Sequence, residues 1–285
     1  MAPAPTTAVV VRCHDPTDAA LARIGAWARS LDGSGVALVV SVDQTTQGSS
    51  RRRARRGRSR GPARRVAAAL GGLGRVHVYD ERALVAAYPC LAAAAATAHV
   101  AGAREFRTGA VSLAWGFHCE CLNLWYQTLA RKFDFVWKLE DDVGYSGDLR
   151  EFVGRFDAEP ADLLTADAGH RPGSRWWWAD AATPAYLAAY APRDRLASRE
   201  HAQRFSRRLL DRLHDLHGRG VTAWSEALAV TVCAAAPDLV LERLPPSLLG
   251  DPYAHDGRVS ERAWRDVVDG RSARKKRKLY HALKF

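Results

Sequence analysis

Three consecutive acids, Glu140, Asp141 and Asp142, follow the apolar segment 133–139. Neighbouring carboxylates raise the cost of ionising one another, so such a cluster is expected to be partly protonated or to be neutralised by a cation. Magnesium and manganese prefer oxygen ligands and are often completed by substrate phosphates. The run therefore predicts a divalent-cation site that holds a diphosphate, a leaving group that a cation stabilises. A solvated turn beside a helix start is the alternative interpretation.

The elements around the acids predict an α/β fold. Continuously apolar or β-branched runs at 7–12 and 36–42 predict strands, as do the shorter or mixed segments 76–79, 133–139 and 162–165. The first, second and fourth of these strands alternate with helices at 21–31 and 115–131. This alternation predicts a mostly parallel sheet with helices on both faces. Ligands bind beyond the carboxyl ends of strands in such sheets, which is where the acids lie. Ser146 is the predicted N-cap of the helix that follows them.

The second half of the chain has a different pattern. A basic helix at 198–217, a helix at 223–235 and a strand at 239–241 predict α+β structure added to the edge of the sheet. We expect one domain over 1–285, with a nucleotide-binding half at 7–168 and an acceptor half with a C-terminal tail at 169–285.

The segment 136–143, VWKLEDDV, resembles the DxD-type motif that ends a mid-chain strand in the GT-A family of nucleotide-diphospho-sugar transferases. Its first acid, Glu140, departs from the usual aspartate. The resemblance implies a GT-A (Rossmann-like) fold and glycosyl transfer from a nucleotide-sugar donor to a glycan, protein or small-molecule acceptor. It also implies that Asp142 and Glu140 bind Mn²⁺ or Mg²⁺, and that Asp141 contacts the ribose or sugar hydroxyls of the donor.

The same resemblance implies a histidine ligand from near the C-terminus, a place that His281 fits. Lys278 or Lys284 can then face the diphosphate as a point charge. Arg12 and Asp43, at the ends of the first two predicted strands, are expected to contact phosphate, ribose or base. Both are otherwise ordinary residues at the entry to a loop.

A general base is the other requirement of inverting transfer. Glu226, an acid at the start of the apolar helix at 223–235, is the first candidate, with helix capping as its alternative role. Asp251 is the second candidate. The run 176–178, three tryptophans, can stack on sugar faces or pack in the core. His214 and His217 are expected on a polar helix surface.

The charge of the chain is concentrated in one segment. Nine of its arginines lie in 51–65 without an acid, so the other residues share about +2 of the net +11. The segment 48–65 has no apolar period and is predicted to be a disordered insertion. Nucleic acid is therefore not expected as the main partner. Five scattered cysteines indicate buried thiols, and the pair at 119 and 121 makes a poor zinc site.

Several classes of protein are disfavoured. The chain has no G-x-x-x-x-G-K-[ST] loop and no G-x-S-x-G elbow. Two alternatives to a transferase stay open: a metal-dependent phosphoesterase or nuclease that uses the same acids, and a nucleic-acid-binding protein that uses the arginine-rich segments. No run of about 18 apolar residues and no signal region is present. We therefore expect a soluble chain, in the secretory pathway (Golgi) or the cytoplasm.

Overall fold

The computed structural model describes residues 6–45, 61–100, 112–129, 132–167, 181–253, 259–271 and 277–284, with backbone alone at 98–100 and 251–252. Its strands are β1 (Thr7–Cys13), β2 (Ala37–Asp43), β3 (Arg75–Tyr79), β4 (Phe135–Glu140), β5 (Gly144–Tyr145), β6 (Leu163–Thr165), β7 (Ala202–Ser206), β8 (Leu241–Arg243), β9 (Leu249–Tyr253) and β10 (Leu279–His281).

Seven of these strands form the central sheet, in the order β3-β2-β1-β4-β7-β6-β8. All neighbours are parallel except β7, which runs antiparallel to both β4 and β6. Strands β1 and β2 are apolar throughout their centres because helices cover both faces of the sheet. The predicted mostly parallel α/β sheet is confirmed.

The helices are α1 (Asp18–Leu31), α2 (Pro62–Leu70), α3 (Glu81–Ala87), α4 (Cys90–Val100), α5 (His118–Tyr126), α6 (Leu149–Gly154), α7 (Pro184–Ala189), α8 (Arg207–Gly218), α9 (Ser225–Ala235) and α10 (Glu261–Val268). One face of the sheet packs against α1, α2 and α6. The other face packs against α5, α7, α8 and α9.

Strand β7 is the main difference from the sequence prediction. Residues 198–217 were predicted to form one helix, but 202–206 form a fully buried strand between β4 and β6. The helix begins only at Arg207, after Ser206, whose hydroxyl accepts a hydrogen bond from the Leu209 amide. The strand occupies the middle of the sheet, so burial outweighs the helical propensity of its Ala, Gln and Arg residues.

Smaller shifts occur at other element ends. The N-cap of α6 is Asp148, whose carboxylate accepts from the Arg150 amide, and not the predicted Ser146. Ser146 instead exchanges hydrogen bonds with Lys278, both through its own amide and through the Lys278 amide. Helix α5 ends at Tyr126, before the predicted 131. The strand predicted at 239–241 is β8, shifted by two residues towards the C-terminus.

A second, three-stranded sheet carries the C-terminal tail to the acids. Its order is β5-β10-β9, with β10 antiparallel to β5 and parallel to β9. A Cβ at Gly144 would lie 2.4 Å from a methyl carbon of Leu283 and 2.6 Å from the Trp264 ring, so only glycine permits this approach. The Leu283 amide donates to the Asp142 carbonyl at 2.8 Å.

Residues 62–65 of the predicted insertion 48–65 form the start of α2, with Pro62 in its first turn. Residues 48–60 lie outside the described residues. All five cysteines are free, and four of them are buried, as predicted. Within the described ranges, no helix is long and apolar enough to cross a membrane.

Candidate active site

A cavity of about 300 Å³ lies at the carboxyl ends of β1, β2 and β4. The strand register places Arg12 opposite Glu140, and the Asp141 amide donates to the Arg12 carbonyl at 3.0 Å. Eight of the nine predicted site residues line the cavity: Arg12, Asp43, Glu140, Asp141, Asp142, Glu226, His281 and Lys284. The ninth, Asp251, lies on β9, and its side chain is outside the described part of the chain.

Two histidines lie against the acids. His201 Nδ1 is 3.0 Å from Glu140 Oε2, and His281 Nε2 is 3.4 Å from Asp142 Oδ1 and 3.8 Å from Glu140 Oε2. The two imidazole rings are stacked, with centroids 3.5 Å apart and an angle of 10° between their planes. Glu140, His201 and His281 each offer a ligand atom within 4.8 Å of the others, which is the spacing of a metal site.

The donor set fits a divalent cation. Asp142 Oδ1 is buried without a hydrogen-bond partner among the described residues, which leaves a carboxylate oxygen aimed into the cluster unsatisfied. Two carboxylates and two imidazoles form a mixed oxygen and nitrogen set. Such a set suits Mn²⁺ better than Mg²⁺, which binds through oxygen and keeps several waters.

His201 is a candidate metal ligand that no pattern in the sequence indicated. Its segment was assigned to a helix, where the residue would be distant from Glu140. In the structure it directly precedes β7, and because β7 is antiparallel to β4, its N-terminal end meets the carboxyl end of β4. The Glu140 amide donates to the His201 carbonyl at 3.0 Å.

The cluster separates the pKa values of its acids. Burial raises the pKa of Glu140, but His201, by charge and hydrogen bond, together with His118 and Lys138, outweighs burial and lowers that pKa well below its usual value. Burial and the charges of Asp142 and Glu140 raise the pKa of Asp141 to about 7. The pKa values of the neighbouring acids Glu140 and Asp141 are therefore shifted in opposite directions, as expected for carboxylates that share one site.

A buried layer lies behind Glu140. His118, at the start of α5, has Nδ1 3.4 Å from Glu140 Oε1 and 3.0 Å from Glu200 Oε2. Lys138 Nζ is 3.2 Å from the same Glu200 oxygen. Burial raises the pKa of Glu200, but His118 and Lys138 lower it to about 2. Burial, with the charges of Arg12 and Lys138, lowers the pKa of His118. No sequence motif had indicated these three residues.

Arg12 and Asp43 lie on the β1–β2 side of the cavity. Arg12 is directed at the loop before α5, where Nη2 donates to the Ala114 carbonyl at 2.6 Å. Asp43 accepts from the Ser112 hydroxyl at 2.6 Å and from the Thr45 amide at 2.9 Å. Burial raises the pKa of Asp43, but hydrogen bonds from His14, Ser112 and Thr45 lower it to about 2. Asp43 is thus held as a fixed, charged acceptor.

The wall of the cavity also contains Trp115, Trp224 and Glu226. Trp115 is 45% exposed, and its ring packs edge-on against Trp224 with centroids 5.3 Å apart. A Cβ at Gly116 would lie 2.1 Å from a carbon of the Trp224 ring, so this loop requires glycine there. Glu226 is half-buried in the first turn of α9.

Two other predicted features lie elsewhere. The tryptophans 176–178 are outside the described residues. The prediction of a polar surface fails for His217, whose side chain is completely buried with Nε2 3.1 Å from Glu120 Oε1. Cys119 and Cys121 are buried separately, one in the core beneath α8 and the other beneath α3, in agreement with the rejected zinc site.

The chain matches no protein-family model, and no curated protein matches its sequence. Its fold is similar to that of xyloside xylosyltransferase 1 from mouse, with 13% identity over 98% of this chain and 98% of that one and a TM-score of 0.46. The mannosyltransferase PcManGT from Pyrobaculum calidifontis, in complex with GDP-Man and Mn²⁺, is 13% identical over 93% of this chain and 61% of that one, with a TM-score of 0.47.

Glucosyl-3-phosphoglycerate synthase from Mycobacterium tuberculosis, in complex with Mn²⁺, UDP-Glc and phosphoglyceric acid, is 15% identical over 95% of this chain and 79% of that one, with a TM-score of 0.41. Because identities are 13 to 15% and TM-scores are below 0.5, the function of this chain has to be inferred from its own site.

Proposed function

We propose that this chain is a metal-dependent glycosyltransferase that moves a sugar from a nucleotide-diphosphate sugar to an acceptor hydroxyl. One observation carries the proposal. Glu140, Asp142, His201 and His281 converge at the carboxyl end of the sheet, in a cavity that also contains a separate carboxylate, Glu226. This combination provides a cation site for a diphosphate and a base for a hydroxyl, the two groups that sugar transfer requires.

Glu140, Asp142, His201 and His281 would hold the cation, with Mn²⁺ preferred for the imidazole ligands. When bound, the cation supplies charge compensation for the departing diphosphate. Lys284, whose Nζ is 3.6 Å from Asp142 Oδ2 and whose side chain is 61% exposed, can leave that carboxylate to contact a phosphate. Arg12 adds a half-buried positive charge to the wall of the cavity.

Asp43 and Asp141 would orient the donor. Asp43 has its carboxylate fixed by Ser112 and Thr45, so it is preorganised to accept hydrogen bonds from a ribose or base. Asp141 has its backbone tied on both sides, since its amide donates to Arg12 and its carbonyl accepts from Arg23 at 2.6 Å. Its side chain lines the cavity and can contact the sugar or ribose hydroxyls.

Glu226 would remove the proton from the acceptor hydroxyl. It lies in the cavity near Trp115, whose exposed ring can pack against the apolar face of an acceptor. Asp251 remains the second candidate for this role. The acceptor can be a glycan, a protein or a small molecule, because each can present a hydroxyl to this wall.

A thermal-shift panel of nucleoside diphosphates and nucleotide sugars, each with and without Mn²⁺, tests the proposal. A true donor at about 100 times its Kd is expected to raise the melting temperature by about 5 °C when Mn²⁺ is present, and by much less without it. Asp142→Ala should abolish the Mn²⁺-dependent part of the shift. Asp215→Ala, at an exposed position of α8, is the matched control and should respond as the parent does.

The two alternative functions predict different results, in this panel and in two further assays. A phosphoesterase would convert a simple phosphodiester with Mn²⁺ and would show no preference for nucleotide sugars. A nucleic-acid binder would lose its affinity when residues 48–60, which precede α2, are deleted, whereas a transferase would keep its donor-dependent shift. The proposal fails if no nucleotide stabilises the protein with Mn²⁺, or if Asp142→Ala responds as the parent does.

A further inference from the structure

Glu140 belongs to two sets of metal-ligand type. The first contains His201 and His281 and faces the cavity. The second contains His118 and Glu200, with His118 beside the other carboxylate oxygen of Glu140, Oε1. These two residues also line the cavity, and the ligand atoms of the set again lie within 4.8 Å of one another. By residue type and spacing alone, the second set is a site for a second divalent ion that would share Glu140 with the first, as in two-metal hydrolases.

The ammonium group of Lys138 already lies in this second set. Lys138 Nζ is 3.2 Å from Glu200 Oε2 and 3.3 Å from His118 Nδ1. The whole residue is buried, with none of its surface exposed. Lys138 and Glu140 are two residues apart on β4, so their side chains leave the strand on the same face. The sequence of β4 therefore places Lys138 next to Glu140 on one face of the sheet.

His118 and Glu200 already share the ammonium of Lys138. His118 Nε2 is 2.8 Å from the Trp115 carbonyl oxygen, a contact that orients the ring. Its Nδ1 faces Glu200 Oε2 at 3.0 Å, Glu140 Oε1 at 3.4 Å and Lys138 Nζ at 3.3 Å. An ion bound by His118 Nδ1 and Glu200 Oε2 together would therefore have to displace the ammonium.

The charges of the layer are balanced with the lysine in place. Glu140 and Glu200 are the negative groups, and Lys138 and Arg12, which interacts electrostatically with both acids, are the positive groups. A divalent ion in the second set would add charge to a balanced layer and would lie beside the ammonium. Burial makes such an excess costly because little water is present to screen it.

We propose that the Lys138 ammonium is the permanent cation of the second position, so that the protein binds one divalent ion, at Glu140, Asp142, His201 and His281. Lys138 is then a positioning residue that holds Glu200 and His118, and His118 in turn lies against Glu140 Oε1. The inference rests on the metal site of the proposed function and is independent of sugar transfer. It also separates this site from two-metal phosphoesterases, in which both positions hold ions.

Counting bound Mn²⁺ in the absence of nucleotide tests the inference. The count comes from electron paramagnetic resonance of free Mn²⁺ during titration of the folded, full-length protein. The parent is expected to bind one Mn²⁺ per chain. Lys138→Gln removes the ammonium and adds an amide oxygen, so it should bind two. Lys138→Arg keeps the charge and should bind one, as should Lys132→Gln, a control at a half-buried lysine that is paired with Asp211 outside the cavity lining.

If Lys138→Gln does not fold alone, saturating Mn²⁺ should restore its circular dichroism, because the ion replaces the missing ammonium. Two ions in the parent would overturn the inference. So would one ion in folded Lys138→Gln, or a Lys138→Gln chain that stays unfolded at saturating Mn²⁺. A parent that binds no Mn²⁺ would instead refute the metal site itself. A parent that binds one Mn²⁺ but no nucleotide sugar would refute the proposed sugar transfer and would agree with the inference of a single metal ion.

Discussion

Two glutamates of this protein have the same local chemistry and different surroundings. Glu140 Oε2 is 3.0 Å from a nitrogen of His201, and Glu120 Oε1 is 3.1 Å from a nitrogen of His217. The Glu140 side chain is 19% exposed and lines a cavity, whereas both partners of the Glu120 pair are completely enclosed. A carboxylate–histidine pair is a candidate ligand set only where a substrate can reach it.

Helix α5 contributes to both regions. His118 and Glu120 are two residues apart, which corresponds to about 200° around a helix with 3.6 residues per turn. His118 therefore faces the Glu140 cluster, while Glu120 faces α8 and accepts a hydrogen bond from Thr222. One face of α5 supports the site at the edge of the sheet, and the other ties the helices together.

Exchanging each glutamate for its amide gives the largest expected difference. Glu140→Gln removes a charged ligand, so Mn²⁺ affinity should fall at least about 100-fold, more than the usual effect of losing a supporting residue. Glu120→Gln should leave the Mn²⁺ affinity within about twofold, because the enclosed pair is distant from the cavity. Titration with Mn²⁺ measures both values. Equal losses in the two variants would remove the distinction between the regions.

Replacing a histidine partner with alanine should have the larger effect on stability in the enclosed Glu120 pair and the smaller effect beside the cavity. His217→Ala leaves Glu120 buried with one partner fewer, so the free energy of unfolding should fall by about 3 kcal/mol. His281→Ala lies beside the cavity and should cost less than about 1 kcal/mol, while it weakens Mn²⁺ binding about 10-fold or more. Urea unfolding without metal measures the first quantity. A larger stability loss for His281→Ala would contradict the comparison.

Glu226→Gln tests whether the cavity region supplies the general base for transfer. As a general base, Glu226 should contribute about 100-fold to turnover and little to donor binding. Once an acceptor is identified, the kcat of Glu226→Gln should be lower than that of the parent by about 100-fold, while its KM for the donor stays within about twofold. Initial rates with a nucleotide sugar and Mn²⁺ measure both. A change confined to the donor KM would assign Glu226 to donor binding.

Two glycines, one beside each region, give the smallest expected effect. Gly116→Ala would drive a methyl group into the Trp224 ring at the rim of the cavity, and overpacking of this kind costs about 1–3 kcal/mol. Gly218→Ala, after His217 at the end of α8, meets nothing within 4 Å and should stabilise by about 0.5 kcal/mol. Thermal unfolding compares the two. Similar shifts in both variants would show that the Trp224 ring moves freely.

Much of the first half of the fold and of the site was predictable from sequence. The centres of β1 and β2 are continuous apolar runs because both faces of the sheet are covered, and β4 is apolar apart from Lys138 and the terminal Glu140. The acids at the end of β4 and their cavity follow from the rule for parallel sheets. The place of His281 came from the GT-A resemblance and not from any local pattern.

Glu200 and His201 were not predicted as site residues because the strand that follows them, β7, was not predicted. Strand β7 has no apolar alternation, because both of its faces are buried in the middle of the sheet and its polar side chains are paired there. Arg204 shows this, since its guanidinium donates to the carbonyls of Phe156, Glu159 and Ala161. His201 and Glu200, just before β7, were consequently missed. Local sequence cannot show that a polar segment will find such partners.

By itself, the sequence determined that a run of three acids ends a buried strand, because hydrophobic patterning and local order are properties of neighbouring residues. Only the tertiary structure decided which distant groups meet those acids. His118, the pair Glu200 and His201, and His281 come from three separate parts of the chain, and their convergence depends on strand order, on the direction of β7 and on the packing of the tail. Those features arise from burial summed over the whole molecule, which no local segment records.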